Sequence, residues 1–147
     1  VESGLLDLPV LLLSAARALV DGIDAGVRAR GFTDLRPAHG FAFARLAGPG
    51  ATVVQLAEHL DVTKQAASQM VEELAKKGYV ERRPHPDDAR ARLVVLTEKG
   101  RACTRAADEA AAEILRPWAA ALGPARLAAL RQDLSRLAVP GRMRPVW

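Results

Sequence analysis

A chain of 147 residues, half of them hydrophobic, can bury its own core as one domain, and its one cysteine excludes an internal disulfide. Aromatics are only 4%, so Ala and Leu carry the apolar set, which favours close-packed helices over a β-sandwich. The formal charge of +4, from 21 bases and 17 acids, is by itself weak support for a polyanionic partner.

Residues 5–20 are apolar but broken by Asp7, Pro9 and Arg17. The run is too short and too interrupted to span a bilayer, and no basic leader precedes it. The expectation is a cytoplasmic chain with no membrane partner. A first helix is predicted to start at Asp7, whose carboxylate can cap free N–H groups, with Pro9 tolerated in the first turn. Leu8, Leu12, Ala16, Leu19, Ile23 and Val27 then recur along one face. Gly22 and Gly26 weaken that helix by up to roughly 1 kcal/mol each relative to Ala. Its end is therefore expected to be mobile unless packing compensates. Gly31 is the expected stop.

Pro37 can open a second helix with Phe41, Ala44 and Leu46 as its buried side, and Gly48-Pro49-Gly50 ends it. Thr52 followed by Gln55 is a capping-box pattern that starts a short helix to Leu60. Asp61-Val62 is the turn. Thr63 can cap the next helix, which runs to about Lys77 and stops at Gly78. Residues 79–83 and 92–96 are strand candidates. Pro84, Pro86, Asp87 and Asp88 make the segment between them a turn. Thr97 can cap a long Ala-rich helix, expected to kink near Pro117. Gly123-Pro124 opens a last helix with Leu127, Leu130, Leu134 and Leu137 on one side, ended by Pro140.

Residues 52–96 hold the pattern that carries function. Two steeply crossing helices need small residues at their approach, and Ala57, Ala66 and Ala67 supply them. Leu56, Leu60, Val62, Met70, Val71 and Leu74 are spaced to share one core. That leaves Lys64, Gln65, Ser68, Gln69 and Glu72 outward, and Thr63 at the helix start. Gln can bond adenine's edge bidentately, Ser can bond bases or phosphates, and a helix N-terminus attracts phosphate. Beside this face the hairpin carries Arg82, Arg83, Arg90 and Arg92. An arginine at such a tip can enter a narrow minor groove. Asp88, two residues before Arg90, is placed to hold its guanidinium. From Lys76 to Arg105 the chain has nine bases and four acids, a localised electrostatic footprint.

The stretch LAEHLDVTKQAASQMVEELAKKGYVERR, followed by PDDARARLVVLTEKG, resembles the MarR family of bacterial transcription regulators. The shared features are a helix-turn-helix, the closing residues Gly78 to Arg83, a wing with Asp88 and Arg90, and Leu96 to Gly100 opening the next helix. The strong match covers roughly residues 52–105. The resemblance implies a mainly α fold with a small β-hairpin wing, a winged helix-turn-helix flanked by N- and C-terminal dimerisation helices. As one domain over 1–147, it has a DNA-binding lobe at 35–100 and dimerisation helices at 5–30 and 101–139. It implies a homodimer on a palindromic double-stranded operator, acting as a ligand-responsive repressor, with Arg90 in the minor groove steadied by Asp88. Asp61 departs from the family's usual turn glycine, in a geometry Asp tolerates. Ala89 stands where a second wing arginine is frequent. The first-helix cysteine of the family's peroxide sensors is absent.

Members of this family often respond to small anionic aromatics bound between the dimer helices and the DNA-reading lobe. Arg17, His39, Phe43 and Trp118 are the pocket candidates here, although Phe43 and Trp118 better suit a core and Arg17 a solvated or interhelical position. His39 and His59 fall on different helices without ligand spacing, so no metal and no cofactor is expected. Cys103 among alanines reads as a small buried hydrophobe. No enzyme motif appears. The alternatives are a winged-helix protein-interaction or dimerisation module and a small-molecule sensor without DNA binding. An interaction module needs no localised basic wing and favours apolar residues at 64, 65, 68 and 69.

Overall fold

Threonine hydroxyls start three of the helices. Oγ1 of Thr52 accepts from the Gln55 N–H at 3.2 Å, that of Thr63 from Ala66 at 3.1 Å, and that of Thr97 from Gly100 at 3.2 Å. Each satisfies a donor that a first helical turn leaves unpaired, a contribution of about 1 kcal/mol. The computed structural model describes residues 3–139. Pro140, the expected stop of the last helix, lies outside the described residues.

After a 3-10 turn at Ser3–Leu5 the chain forms α1 (Leu8–Ala29), α2 (Pro37–Leu46), α3 (Val53–Leu60), α4 (Lys64–Lys76), β1 (Val80–Pro84), β2 (Arg92–Leu96), α5 (Glu98–Leu122) and α6 (Pro124–Leu137). The fold is mainly helical with one antiparallel hairpin, the winged helix-turn-helix class expected from the sequence. The hairpin register runs from Val80 opposite Leu96 to Pro84 opposite Arg92. Ala51 exchanges two backbone bonds with Val94, at 3.0 and 2.8 Å, and so ties the α2–α3 loop to the wing.

The core fills the lobe made by α2, α3, α4, the hairpin and the start of α5. Leu46, Leu56, Val71, Leu74, Tyr79 and Val94 are fully buried there. On α2 the buried residues are His39, Ala42, Phe43 and Leu46. Phe41 is half-buried and Ala44 is exposed, so the expected register of this helix is corrected. A single helical face cannot hold both Ala44 and Phe43's neighbours at i−4 and i+3, which are the ones the core selects.

Outside the lobe, α1 lies along α5. Gly22 and Gly26 are the points of closest approach: a Cβ on Gly22 would stand 2.7 Å from Ile114 Cδ1 and one on Gly26 would stand 2.5 Å from Ala110 Cβ. Packing therefore compensates for the helical weakness of these glycines. Arg30 locks the same end, donating to Glu113 at 2.8 Å and Glu109 at 3.2 Å. The helix α5 runs on through Pro117 to Leu122.

The N-terminal half of α1 differs from expectation. Asp7 occupies the cap position but its side chain makes no capping bond. Of the expected apolar stripe only Val27 is buried, while Leu8 and Leu12 are 46% and 44% exposed. On α6, Leu127 and Leu130 are half-buried but Leu134 and Leu137 are exposed. Length also changes: the helical segment Ser3–Ala29 is long and apolar enough, by length and composition, to cross a membrane. The apolar run at residues 5–20 is only part of this helix, which continues through Gly22 and Gly26 to Ala29.

Candidate nucleic-acid interface

The turn between α3 and α4 is built by local chemistry. The Thr52 N–H donates to the Gln55 side chain at 3.0 Å and completes the capping box. Asp61 ends α3 in the left-handed region at φ 53°, the one non-glycine there among the described residues. A short polar side chain tolerates that conformation. The Val62 N–H then returns to the Ala57 carbonyl at 3.1 Å. At the crossing Ala57 and Ala67 are buried, but Ala66 is exposed and belongs to the outer face.

The inner face of α4 is Ala67, Val71 and Leu74, all buried. On the outer face Lys64, Gln65, Gln69 and Glu72 are exposed and Ser68 is half-buried, with Thr63 at its N-terminal end. No side chain among Lys64, Gln65, Ser68 and Gln69 hydrogen-bonds to another described residue. The ridge is thus uncovered and its donors and acceptors are available.

The wing sorts its arginines by strand parity. Residues directly opposite share a face and neighbours alternate. Arg82 pairs with Val94 and therefore shares the side of Val80, Leu96 and Arg92, whereas Arg83 pairs with Leu93 on the other side. Among the described residues Arg82, Arg90 and Arg92 make no ion pair, while Arg83 is held by Glu81. Asp88 does not hold the Arg90 guanidinium. Its Oδ1 accepts from the Arg90 backbone N–H at 2.9 Å, and the Asp88 carbonyl accepts from Ala91 at 3.1 Å. A short Asp two residues upstream meets the backbone first, as in an Asx turn. Asp88 shapes the tip and leaves the guanidinium free.

Behind the ridge lies a second polar network. The Tyr79 hydroxyl donates to Asp34 at 2.7 Å, and Lys99 Nζ sits 4.4 Å from the Tyr79 ring centroid. Burial, then the Asp34 bond, pushes the tyrosine pKa up, while that bond holds the Asp34 carboxyl below its ordinary value. Glu73 on α4 accepts from Lys77 at 2.9 Å and Arg36 at 3.2 Å, and the Lys77 bond leads in lowering its pKa. His39 is fully buried beside it. Its Nδ1 accepts from the Arg36 N–H at 3.0 Å, and its Nε2 lies 3.3 Å from Arg36 Nη2 and 3.6 Å from Glu73. Burial chiefly, and then Arg36, lowers the histidine pKa and keeps the ring neutral.

A cavity of about 340 Å³ opens between α1, α2 and α5. Val20, Ile23, Val27, Phe41, Phe43 and Ala107 give it apolar walls, and Arg36, Asp24 and Asp108 lie at its edge. Of the sequence-derived pocket candidates only Phe43 lines it. His39 is spent on the α2–α4 network, Arg17 pairs with Asp21 at 2.9 Å on the surface, and Trp118 lies beyond it on α5. Arg36 was missed, although it directly precedes Pro37 and stands three residues before His39. Cys103 lines the cavity as a buried thiol, its pKa pushed up to about 11 by burial. His39 and His59 lie on separate helices, and the His59 Nε2 is buried with no partner among the described residues. Among those residues no three His, Cys, Asp or Glu side chains form a metal-holding group.

A MarR family model matches residues 31–91, the lobe with its ridge and most of its wing. A solved structure of a probable transcriptional regulator from Pseudomonas aeruginosa is 31% identical, covers 89% of this chain and 96% of that one, and superposes with a TM-score of 0.65. The chain belongs to the MarR family. This is a family of transcription regulators, not of enzymes. The HTH-type transcriptional regulator PetP of Rhodobacter capsulatus is 38% identical to this MarR-family chain over 96 residues, which is 65% of the chain and 58% of PetP. The matched stretches span 58% to 62% of the length of the curated relatives. The structure of CouR from Rhodococcus jostii, bound to p-coumaroyl-CoA, shares the MarR fold with a TM-score of 0.73 at 19% identity, covering 94% of this chain and 96% of CouR.

Proposed function

We propose that the chain is a sequence-specific, double-stranded-DNA-binding transcription regulator that works as a homodimer on a palindromic operator. One observation carries this reading: the bare polar ridge of α4 beside the guanidiniums of Arg82, Arg90 and Arg92, which make no ion pair among the described residues. Phosphate contacts supply affinity and register, and base-edge contacts from Gln65 and Gln69 supply selectivity. Thr63 and Lys64 sit at the helix start, where backbone N–H groups favour phosphate, and Ser68 follows one turn on along the same face. Arg90 at the tip is the minor-groove candidate.

Dimerisation rests on the apolar surface that one chain leaves bare. Leu5 before α1, Leu8 and Leu12 in its first turns, and Leu134 and Leu137 at the end of α6 are exposed. A second copy covering them gives the twofold symmetry that a palindrome mirrors. This favours α1 as a pairing helix over a membrane span, because its other half is built onto α5 through Gly22, Gly26 and Arg30.

Ligand response is assigned to the α1–α2–α5 cavity. Its volume and apolar walls suit one ring-sized ligand, and Arg36 at the rim supplies a cation for an acidic group. Arg36 also holds Glu73 on α4, so a ligand that takes Arg36 loosens the recognition helix. Repression is the direct consequence of an occupied promoter.

Selection of bound duplexes from a random pool, followed by footprinting, tests the reading. The expected site is a palindrome with half-sites about one helical turn apart. Equal affinity for all duplexes, or one unsymmetrical half-site, would overturn it.

A further inference from the structure

A second concavity lies on the far side of the hairpin. It is a groove of about 540 Å³ between the end of α2, the loop after it, the outer face of the strands and the first turns of α5. We propose that this groove binds a small organic anion with an apolar tail, at a site separate from the α4 ridge and from the α1–α2–α5 cavity.

Strand parity builds its cationic wall. Arg83 shares a face with Leu93 and Val95, and that face turns away from the face of Arg82. Arg101 and Arg105 reach the same groove from α5. Among the described residues no acidic side chain lines it. The carboxylates that neutralise these arginines stand outside the lining. Glu98 alone serves both Arg101, at 3.1 Å, and Arg105, at 2.8 Å. One carboxylate against two guanidiniums leaves a surplus positive charge at the groove. Arg101 is also fixed in place, because it donates to the Leu96 carbonyl at 2.9 Å. Its Nε and Nη2 edge lies on Glu98, so an incoming carboxylate competes with Glu98 for a guanidinium that is already ordered.

The floor sets the rest of the ligand. Leu93 and Val95, both half-buried, present aliphatic surface under the arginines, with the buried Leu46 behind them. A bare inorganic anion leaves that surface wet, and so does a nucleic-acid phosphate. An uncharged hydrocarbon leaves the guanidiniums unanswered. The chemistry that satisfies both is an amphipathic acid such as a medium-chain or aryl-alkyl carboxylate. Only Thr104 borders this groove and the other cavity, so the two are neighbouring chambers with distinct walls.

The test titrates octanoate into the full chain without DNA, by calorimetry and by amide shifts of Leu93, Val95 and Thr104. Octanol and inorganic phosphate are run as tail-only and head-only probes. Saturable binding of octanoate, with both controls much weaker, is expected. The double variant Arg101→Gln, Arg105→Gln should weaken octanoate by roughly tenfold or more. Glu98→Gln should tighten it, since it releases both guanidiniums. That opposite sign guards against a trivial loss of fold. Failure to saturate, equal binding of octanol, or indifference to both variants would overturn the proposal. DNA is absent throughout, so a failure here is independent of operator binding.

Discussion

A Cβ built on Gly26 would stand 2.5 Å from the Cβ of Ala110, a distance that no rotamer change can relieve. The approach of α1 to α5 is therefore set by backbone and methyl, not by adaptable side chains. Gly26→Ala gains up to about 1 kcal/mol of helix propensity but overpacks the contact, which costs about 1–3 kcal/mol. Packing should win, with a lower urea midpoint at fixed protein concentration. Gly22→Ala meets only the mobile end of Ile114 and should stay within about 0.5 kcal/mol of the parent. A Gly26→Ala chain as stable as the parent would show that the two helices part freely.

Gln65 and Gln69 carry the selectivity in the proposed complex. Replacing either by Ala should weaken binding to the selected operator by about 1–3 kcal/mol if that residue holds a bidentate base contact. Binding to random duplex should change far less. Anisotropy titrations on both duplexes read the difference. An equal loss on both would mean that these side chains position the helix without reading bases.

The arginines of the wing should divide by strand face. Arg90→Ala should lower DNA affinity and reduce the slope of log affinity against log salt by about one unit, the signature of one lost phosphate contact. Arg83→Ala should leave that slope unchanged, because Arg83 faces the opposite way and is held by Glu81. If Arg83→Ala matched Arg90→Ala, the separation of faces would not extend to the complex.

The lobe was legible from the sequence because its signals are local. Thr52, Thr63 and Thr97 cap where the pattern places them, and Asp61 takes the left-handed turn expected of it. The α4 ridge was legible for the same reason, since its inner and outer residues follow one helical period. Four features were not. Ala44 was assigned to the core because alternating Phe and Ala fit two registers equally well. The side-chain role of Asp88 turned on whether it reaches a backbone N–H or a guanidinium two residues away, and spacing does not choose between them. The α1–α2–α5 cavity depends on how helices far apart in sequence cross, so Arg17 and Trp118 fell outside it. Arg83 and Arg82 looked alike in the sequence until the register assigned them to opposite faces.

Cys103 should behave as a protected thiol. Burial pushes its pKa up to about 11, so almost no thiolate exists at pH 8 in the native chain. Reaction with a disulfide reagent should be slow and should accelerate sharply in denaturing urea. Stoichiometric labelling of the native chain within seconds would mean that the cavity opens readily and that the cysteine is accessible to oxidants.

Acidification should destabilise the chain, and His39 should set where that begins. The pKa of His39 falls on folding, mainly because the ring is buried, and Asp34 and Glu73 are also shifted downward by their partners. A group with a depressed native pKa resists protonation while the unfolded chain accepts it, so stability drops as pH drops. For His39 the loss starts below its ordinary value of 6.5 and continues to its lower native value. Asp34 and Glu73 add theirs below the ordinary carboxylate values of 3.8 and 4.5. The urea midpoint should therefore be lower at pH 5.5 than at pH 7.5. In His39→Gln, whose side-chain oxygen can still accept from the Arg36 N–H, the difference between those two pH values should shrink. An undiminished difference in that variant would assign the acid sensitivity to some group other than the buried imidazole.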